Sequence, residues 1–75
     1  MTAARDPRVD PRPGDVVRCY PHGCERTIIE RDGDRLLWQS VWPDFEGQSL
    51  RADGECDVAL WRARNSDTEI VKVAE

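Results

Sequence analysis

Three cysteines and a single histidine are the side chains of this sequence with the widest range of chemistry. Cys19, His22 and Cys24 lie in one short segment, and Cys56 follows much later. Three thiolates and one imidazole would complete a tetrahedral zinc site, which would also stabilise a small fold. The spacing departs from the usual C-x2-C knuckle, so a disulfide between Cys19 and Cys24 and ordinary buried thiols stay open. We expect no cofactor, with zinc at Cys19, His22, Cys24 and Cys56 as the alternative.

Nucleophilic catalysis would need one of these cysteines to be activated by His22, the only histidine. The spacing supplies no third group to orient the imidazole, and a chain of 75 residues has little room for a deep pocket. Paired acids such as Asp32 and Asp34 lie in turn-like segments, where solvated carboxylates are usual. We therefore expect a protein that is not an enzyme.

Aromatic residues form a second candidate site. Trp42 and Phe45 lie on either side of a Pro-Asp pair, and Tyr20 precedes another proline. Such side chains could line a groove that binds proline-rich or methylated peptides. The alternative is ordinary core packing, which we expect for Trp38 and Trp61. The candidate binding residues are therefore Trp42, Phe45 and Tyr20, and the expected partner is a protein.

Charge and hydropathy exclude other partners. The chain is 39% hydrophobic and 35% charged, with a net charge of −4. Nucleic-acid binding needs clustered basic residues, whereas the arginines near the N-terminus alternate with acids. No apolar run approaches the roughly 20 residues that cross a bilayer, and no signal-peptide pattern follows Met1, which predicts a cytoplasmic protein without a membrane partner. The acidic residues within 44–57 favour a further alternative, an inhibitor that mimics nucleic acid or docks on a basic host protein.

The elements that position these residues begin after a proline-rich start. Residues 1–14 contain three prolines, alternating charges and almost nothing apolar, which predicts an extended arm outside the core. Residues 15–75 are predicted to form one small domain. Within it, residues 15–20 and 68–73 have the composition of strands.

Asp32-Gly33 between two apolar runs is the clearest local signal, because Asp-Gly favours a two-residue type I′ hairpin turn. Both faces of this hairpin then carry apolar residues, which is compatible with a homodimer. The pairs that the turn predicts are Arg31 with Asp34, Glu30 with Arg35, Ile29 with Leu36, Ile28 with Leu37, and Thr27 with Trp38.

The remaining elements complete a mostly β prediction. A short fourth strand is predicted at residues 48–51, ended by a turn at residues 52–54. Asp57 is placed to cap a short helix over residues 58–64, whose last turn carries Arg62 and Arg64. These elements predict a small SH3-like five-stranded antiparallel barrel with one short helical turn before the last strand, because closure protects short edges.

The opening of the chain resembles that of small, uncharacterised proteins of bacteriophages and prophages. Residues 6–18 carry the shared pattern of Asp-Pro-Arg followed by Pro-Gly-Asp-Val, and Cys56 with residues 59–62 matches a later Cys and Ala-Leu-Trp-Arg element. Residues 19–24 and the tail after Arg64 depart from the pattern. The resemblance implies a phage or prophage context and no particular activity. We therefore expect a protein-interaction or structural accessory module.

Overall fold

A computed structural model of the chain describes residues 5–19, 23–42 and 51–74. The elements are β1 (Val16–Arg18), β2 (Glu25–Asp32), β3 (Arg35–Val41), β4 (Arg51–Asp57), α1 (Val58–Arg64) and β5 (Glu69–Lys72). All strand pairs are antiparallel, and the order across the sheet is β4-β3-β2-β1-β5. The predicted mostly β fold with one short helix before the last strand is confirmed. In the described part of the chain the sheet is open, with β4 and β5 at its two edges.

The predicted hairpin is present as β2 and β3, but its turn lies one residue further along the chain. Asp32 pairs with Arg35, so the turn consists of Gly33 and Asp34. Gly33 has φ +59°, a left-handed conformation that glycine adopts without steric cost. The predicted pairing of Arg31 with Asp34 is therefore wrong.

A β-bulge at Ile29 changes the register again and decides which residues face the core. Beyond the bulge Ile28 pairs with Trp38, and Thr27 pairs with Gln39. Because successive side chains point to opposite faces, the bulge brings Ile28 onto the buried face and leaves Ile29 56% exposed. The pairs predicted for Thr27, Ile28, Ile29 and Glu30 are therefore wrong.

The core lies on one face of the sheet. Trp38 and Trp61 pack together there with ring centroids 5.3 Å apart and ring planes tilted by 58°. Both are buried, as predicted. Burial of such large rings supplies much of the hydrophobic stabilisation available to a small domain. The buried cluster consists of Val17, Ile28, Leu36, Trp38, Val58 and Trp61.

Residues 5–14 pack against this core, although the sequence predicts an extended arm outside it. Pro7 and Pro11 are fully buried, and the indole N–H of Trp61 donates to the Pro7 carbonyl oxygen at 2.9 Å. The segment also turns, because the N–H groups of Val9 and Asp10 both donate to the Asp6 carbonyl oxygen. A buried indole N–H needs an acceptor, and this segment provides it.

β4 includes the residues predicted to form a turn. Gly54 pairs with Trp38 of β3, and a Cβ at Gly54 would lie 2.2 Å from Trp38 Cε2. Glycine at this position leaves the space that the indole of the neighbouring strand occupies. The turn preference of the local sequence gives no sign of this contact. The turn predicted at residues 52–54 is wrong, and residues 48–50 of the predicted fourth strand lie outside the described residues.

The predicted helix is confirmed with its cap. Asp57 Oδ1 accepts a hydrogen bond from Leu60 N at 2.7 Å, and Arg62 and Arg64 lie in the last turn. Val58 N donates to the carbonyl oxygen of Asp34, which joins the hairpin turn to the start of α1. Among the described residues, no helix has the length and apolar character that a membrane crossing requires.

Candidate functional site

The described residues do not assemble the predicted zinc ligands. Cys19 follows β1 and Cys24 precedes β2, and Cys19 N donates to the Cys24 carbonyl oxygen at 2.8 Å. Cys56 lies opposite Leu36, beside the hairpin turn and at the far end of the hairpin from Cys24. His22 lies outside the described residues, and no group of three or more possible metal ligands occurs within them. The structure therefore brings Cys19 and Cys24 together and leaves Cys56 apart.

The thiols have environments that disfavour the thiolate. Burial raises the pKa of Cys19, and the neighbouring Cys24 adds to the increase while Arg26 opposes it. Burial also raises the pKa of Cys56, with a further contribution from Asp57. Reactive cysteines in enzymes have a lowered pKa and an electropositive environment. Neither of these two thiols is activated in that way.

The predicted aromatic groove lies largely outside the described residues. Trp42 directly follows β3 and is partly buried. Phe45 and Tyr20 both lie outside the described residues, so a groove formed by these three side chains stays a prediction.

β5 has two features of a protein-docking strand. In the described part of the chain it is the last strand of the sheet and pairs with β1 alone. Its neighbourhood also exposes apolar side chains: Ile70, Val71 and Val73 are 38%, 42% and 37% exposed. These three are half of the exposed large hydrophobic residues in the described chain. An edge strand of this kind is a template for pairing with another chain.

Arginine side chains from the N-terminal segment hold the residues that flank β5. Arg8 Nη1 donates to the Thr68 carbonyl oxygen at 3.2 Å, and Arg5 Nη2 donates to the Ala74 carbonyl oxygen at 2.7 Å. Asp15 completes the second contact, because its Oδ1 accepts from Ala74 N at 2.6 Å and from Arg5 Nη2 at 2.8 Å. Both ends of β5 are therefore fixed, while the middle of the strand stays exposed.

Asp15 is fully buried and ionised. Burial alone would raise its pKa, but hydrogen bonds from the Arg5 guanidinium and from the backbone N–H groups of Ala74 and Arg12 lower the pKa below its ordinary value. This clasp of Asp15, Arg5 and Ala74 joins the start of the described chain to its end. We call it the Asp15 clasp.

A second surface is acidic. An open groove of about 540 Å³ lies between the hairpin turn and the end of β4, and it is lined by Asp34, Arg35, Glu55, Cys56 and Asp57. Arg35 forms an ion pair with Glu55. Asp57 also caps α1. The groove therefore presents carboxylates in excess of cations, which is the charge pattern that attracts basic segments.

Sequence reasoning identified residues 68–73 as a strand but gave no sign that it would lie at an edge. Its position depends on pairing with β1, a contact between distant parts of the chain that no local pattern encodes. No family model, curated protein or solved structure matches this chain. The surfaces described above are therefore the evidence for function.

Proposed function

We propose that the protein is a non-enzymatic protein-interaction module that binds an extended segment of its partner along β5. The observation that carries this proposal is the exposure of Ile70, Val71 and Val73 on an edge strand whose two ends are fixed. In strand addition, backbone hydrogen bonds supply affinity and alternate side chains supply specificity. A strand that is already held in place loses little conformational entropy on binding.

The chemistry of β5 defines the class of segment that it would accept. All four residues of β5 are exposed: Ile70 and Val71 are aliphatic, and Glu69 and Lys72 at its two ends carry opposite charges, so the strand has no net charge. A partner strand with β-branched or aromatic side chains at alternate positions would extend this surface. We therefore assign an extended, predominantly apolar peptide segment as the ligand.

The other exposed apolar residues of the described chain support this choice by contrast. Val9, Ile29 and Leu60 are exposed as single residues on three separate segments. Isolated exposed hydrophobic residues are normal on soluble proteins and do not indicate a binding site. By contrast, Ile70 and Val71 lie on β5 and Val73 directly follows it, so three of the four residues at positions 70–73 are exposed aliphatic residues at one edge of the sheet.

A displayed library of random peptides tests the proposal directly. We expect selected peptides to be extended and apolar, and to shift the NMR amide resonances of residues 69–73. Val71→Lys should weaken binding by at least about tenfold, because it places a charge in the new pairing. Ile29→Lys is the matched control, since Ile29 is also exposed on a strand, and it should bind normally. Binders that shift other residues, or that ignore Val71→Lys, would contradict the proposal.

A second copy of the chain is the competing occupant of β5. Light scattering over a range of concentrations distinguishes the two cases. We expect a monomer for the chain alone. A dimer that Val71→Lys converts to a monomer would show that a second copy occupies β5, and would contradict the assignment of a different partner.

The acidic groove supports a second candidate function, docking on a basic host protein as an inhibitor or nucleic-acid mimic. The observation in its favour is that Asp34, Glu55 and Asp57 line one groove with Arg35 as the basic residue among them. Binding of an arginine-rich peptide would then weaken with salt. Asp34→Lys should remove that binding and leave peptide binding at β5 unchanged.

We also retain three finer predictions as proposals. A partly open, SH3-like form of the predicted barrel is supported by the order β4-β3-β2-β1-β5, and binding along β5 requires that β4 and β5 stay unpaired. A phage or prophage origin rests on the resemblance of residues 6–18. A cytoplasmic location rests on the absence of a signal-peptide pattern after Met1.

A further inference from the structure

Cys19 and Cys24 are the part of the predicted site that the interaction surface does not use. Arg18 pairs with Glu25 at the end of the β1–β2 ladder, so Cys19 and Cys24 face each other as the next pair. The hydrogen bond from Cys19 N to the Cys24 carbonyl oxygen, 2.8 Å long, holds the two backbones side by side directly beyond the last pair of the ladder. Gly23, with φ +71°, donates its N–H to the Cys19 carbonyl oxygen at 2.8 Å and fixes the approach to Cys24.

This register suits a disulfide bond. Directly opposite residues of antiparallel strands point their side chains to the same face, and their Cα atoms are about 4.5 or about 5.5 Å apart. A disulfide joins Cα atoms separated by about 4.4–6.8 Å. The two sulfur atoms can therefore be joined without a rearrangement of the strands.

Exposure gives the two thiols different roles. Cys24 is 4% exposed, whereas Cys19 is partly exposed, so a small reagent reaches Cys19 first. Cys24 is then placed to attack Cys19 from the opposite strand. Cys56, at the other end of the hairpin, is too far away to compete within the chain.

We propose that Cys19 and Cys24 form a reversible disulfide bond with a low-molecular-weight disulfide as the oxidant. Because the pKa of Cys19 is raised, the reaction proceeds slowly through the small thiolate fraction of Cys19, which attacks one sulfur of the oxidant, so that a mixed disulfide forms and one small thiolate leaves. The Cys24 thiolate then attacks the Cys19 sulfur, and the second small thiolate leaves. The two cysteines are oxidised, the oxidant is reduced to two thiols, and those thiols take up the two protons that the cysteines lose.

The bond would attach β1 to β2 at the open end of their ladder. β1 has only three residues and is the strand that holds β5 in the sheet. Oxidation should therefore slow amide exchange in residues 16–18 and 25–28. The same ladder would be less protected in the reduced protein.

Intact-mass measurement of the full chain, incubated with oxidised glutathione, tests the proposal. We expect the loss of two hydrogen atoms without a glutathione adduct, complete reversal by a dithiol reductant, and one remaining alkylatable thiol in the denatured oxidised chain. Cys56→Ser is the matched control and should still form the bond. Cys19→Ser and Cys24→Ser should each abolish it, and the two single variants keep the test valid if one of them does not fold.

Three outcomes would overturn the proposal. One is a covalent dimer that disappears in Cys56→Ser, because the oxidised thiol would then be Cys56. Another is a glutathione adduct on Cys19 that persists in the presence of an intact Cys24. The third is a purified chain that retains stoichiometric zinc and resists oxidation until a chelator removes the metal, since that result would support the zinc alternative.

Discussion

The edge strands β4 and β5 lie on opposite sides of one sheet and are held there by different interactions. β4 is fixed mainly by packing, because the Trp38 indole lies against Gly54 across the strand pair, and its exposed ion pair between Arg35 and Glu55 should contribute little. The ends of β5 are fixed by charged groups, through Arg8 at Thr68 and through the Asp15 clasp at Ala74. Aromatic packing is insensitive to pH and salt, whereas ionised hydrogen-bond partners are sensitive to pH.

The exposed surfaces of the two strands differ in a related way. β4 alternates exposed charges, including Asp53 and Glu55, along its length. β5 exposes the adjacent aliphatic pair Ile70 and Val71 in its middle, and its charged residues Glu69 and Lys72 lie at its two ends. Charged residues on an edge prevent unwanted pairing, so β4 is protected and β5 is open to a partner. The strand that we assign to binding is thus also the strand whose position depends on ionic contacts.

The largest effect should come from breaking the Asp15 clasp. Asp15→Asn removes the charge from a fully buried side chain and leaves the Arg5 guanidinium, which is 15% exposed, without its charged partner. Removing one member of a buried ion pair costs about 3–5 kcal/mol, and the contact of Arg5 with solvent places the expected cost at the lower end of that range. We expect a loss of that size in the free energy of unfolding, measured by urea titration. Asp34→Asn, at an exposed position, should change stability by less than about 0.5 kcal/mol. Equal stability of the two variants would show that the clasp does not hold β5.

A smaller effect should follow from adding a methyl group at Gly54 of β4, the other edge strand. In Gly54→Ala the new Cβ would meet Trp38, which cannot move freely because Trp61 packs against it. Overpacking of this kind costs about 1–3 kcal/mol. We expect that loss of stability together with a changed near-ultraviolet circular dichroism spectrum. Asp53→Ala, the neighbouring exposed residue, is the control, and an unchanged tryptophan signal in Gly54→Ala would contradict the packing argument.

The sequence predicts the elements with strong local signals. Asp57 followed by an apolar run and two arginines predicts α1 correctly, because a cap and a dipole are local effects. Asp32-Gly33 predicts the hairpin but not its register, because the bulge at Ile29 follows from packing on the core face. Local preference alone places Gly54 in a turn. Its place in a strand depends on the Trp38 indole, which lies on β3 and leaves no room for a side chain at position 54.

The candidate binding site at β5 is less predictable, because its position also depends on contacts between distant parts of the chain. Residues 68–73 are predicted as a strand, but their edge position comes from pairing with β1. Pro7 and Pro11 are predicted outside the core because nothing local shows that Trp61 needs a backbone acceptor. Cys19 and Cys24 are grouped by the sequence, whereas the separation of Cys56 becomes visible only with the strand order.

At low pH, β5 should lose stability before β4, because the ionised Asp15 holds one end of β5. The pKa of Asp15 is lowered in the folded chain, so its contribution to stability is complete above the unfolded value of about 3.9 and is lost as the pH falls through the folded value. The loss per ionised group is at most about 1.4 kcal/mol per pH unit. Asp6 and Asp10 add to it, because hydrogen bonds from Arg8 and Arg31 lower their pKa values.

We expect hydrogen exchange to show this loss first in β5. Below about pH 4, the protection of residues 69–72 should fall before that of residues 51–57. Gly54→Ala retains Asp15, so its stability should have the same pH dependence as that of the unmodified chain. Simultaneous loss of protection at both edges would contradict the distinction between an ionic and a packed edge.

The smallest effect tests whether the junction of β4 and α1 is stabilised by the hydrogen bond from Leu60 N to Asp57 or by the charge of Asp57. Asp57 ends β4 and caps α1, and its carboxylate accepts the Leu60 N–H. Asp57→Ala removes the acceptor and should cost about 1 kcal/mol, whereas Asp57→Asn keeps a side-chain oxygen and should cost only a few tenths. Thermal unfolding of the three chains at neutral pH measures the difference. If Asp57→Asn is as unstable as Asp57→Ala, the charge of Asp57 matters more than its hydrogen bond, and the β4 edge would then share the ionic character of β5.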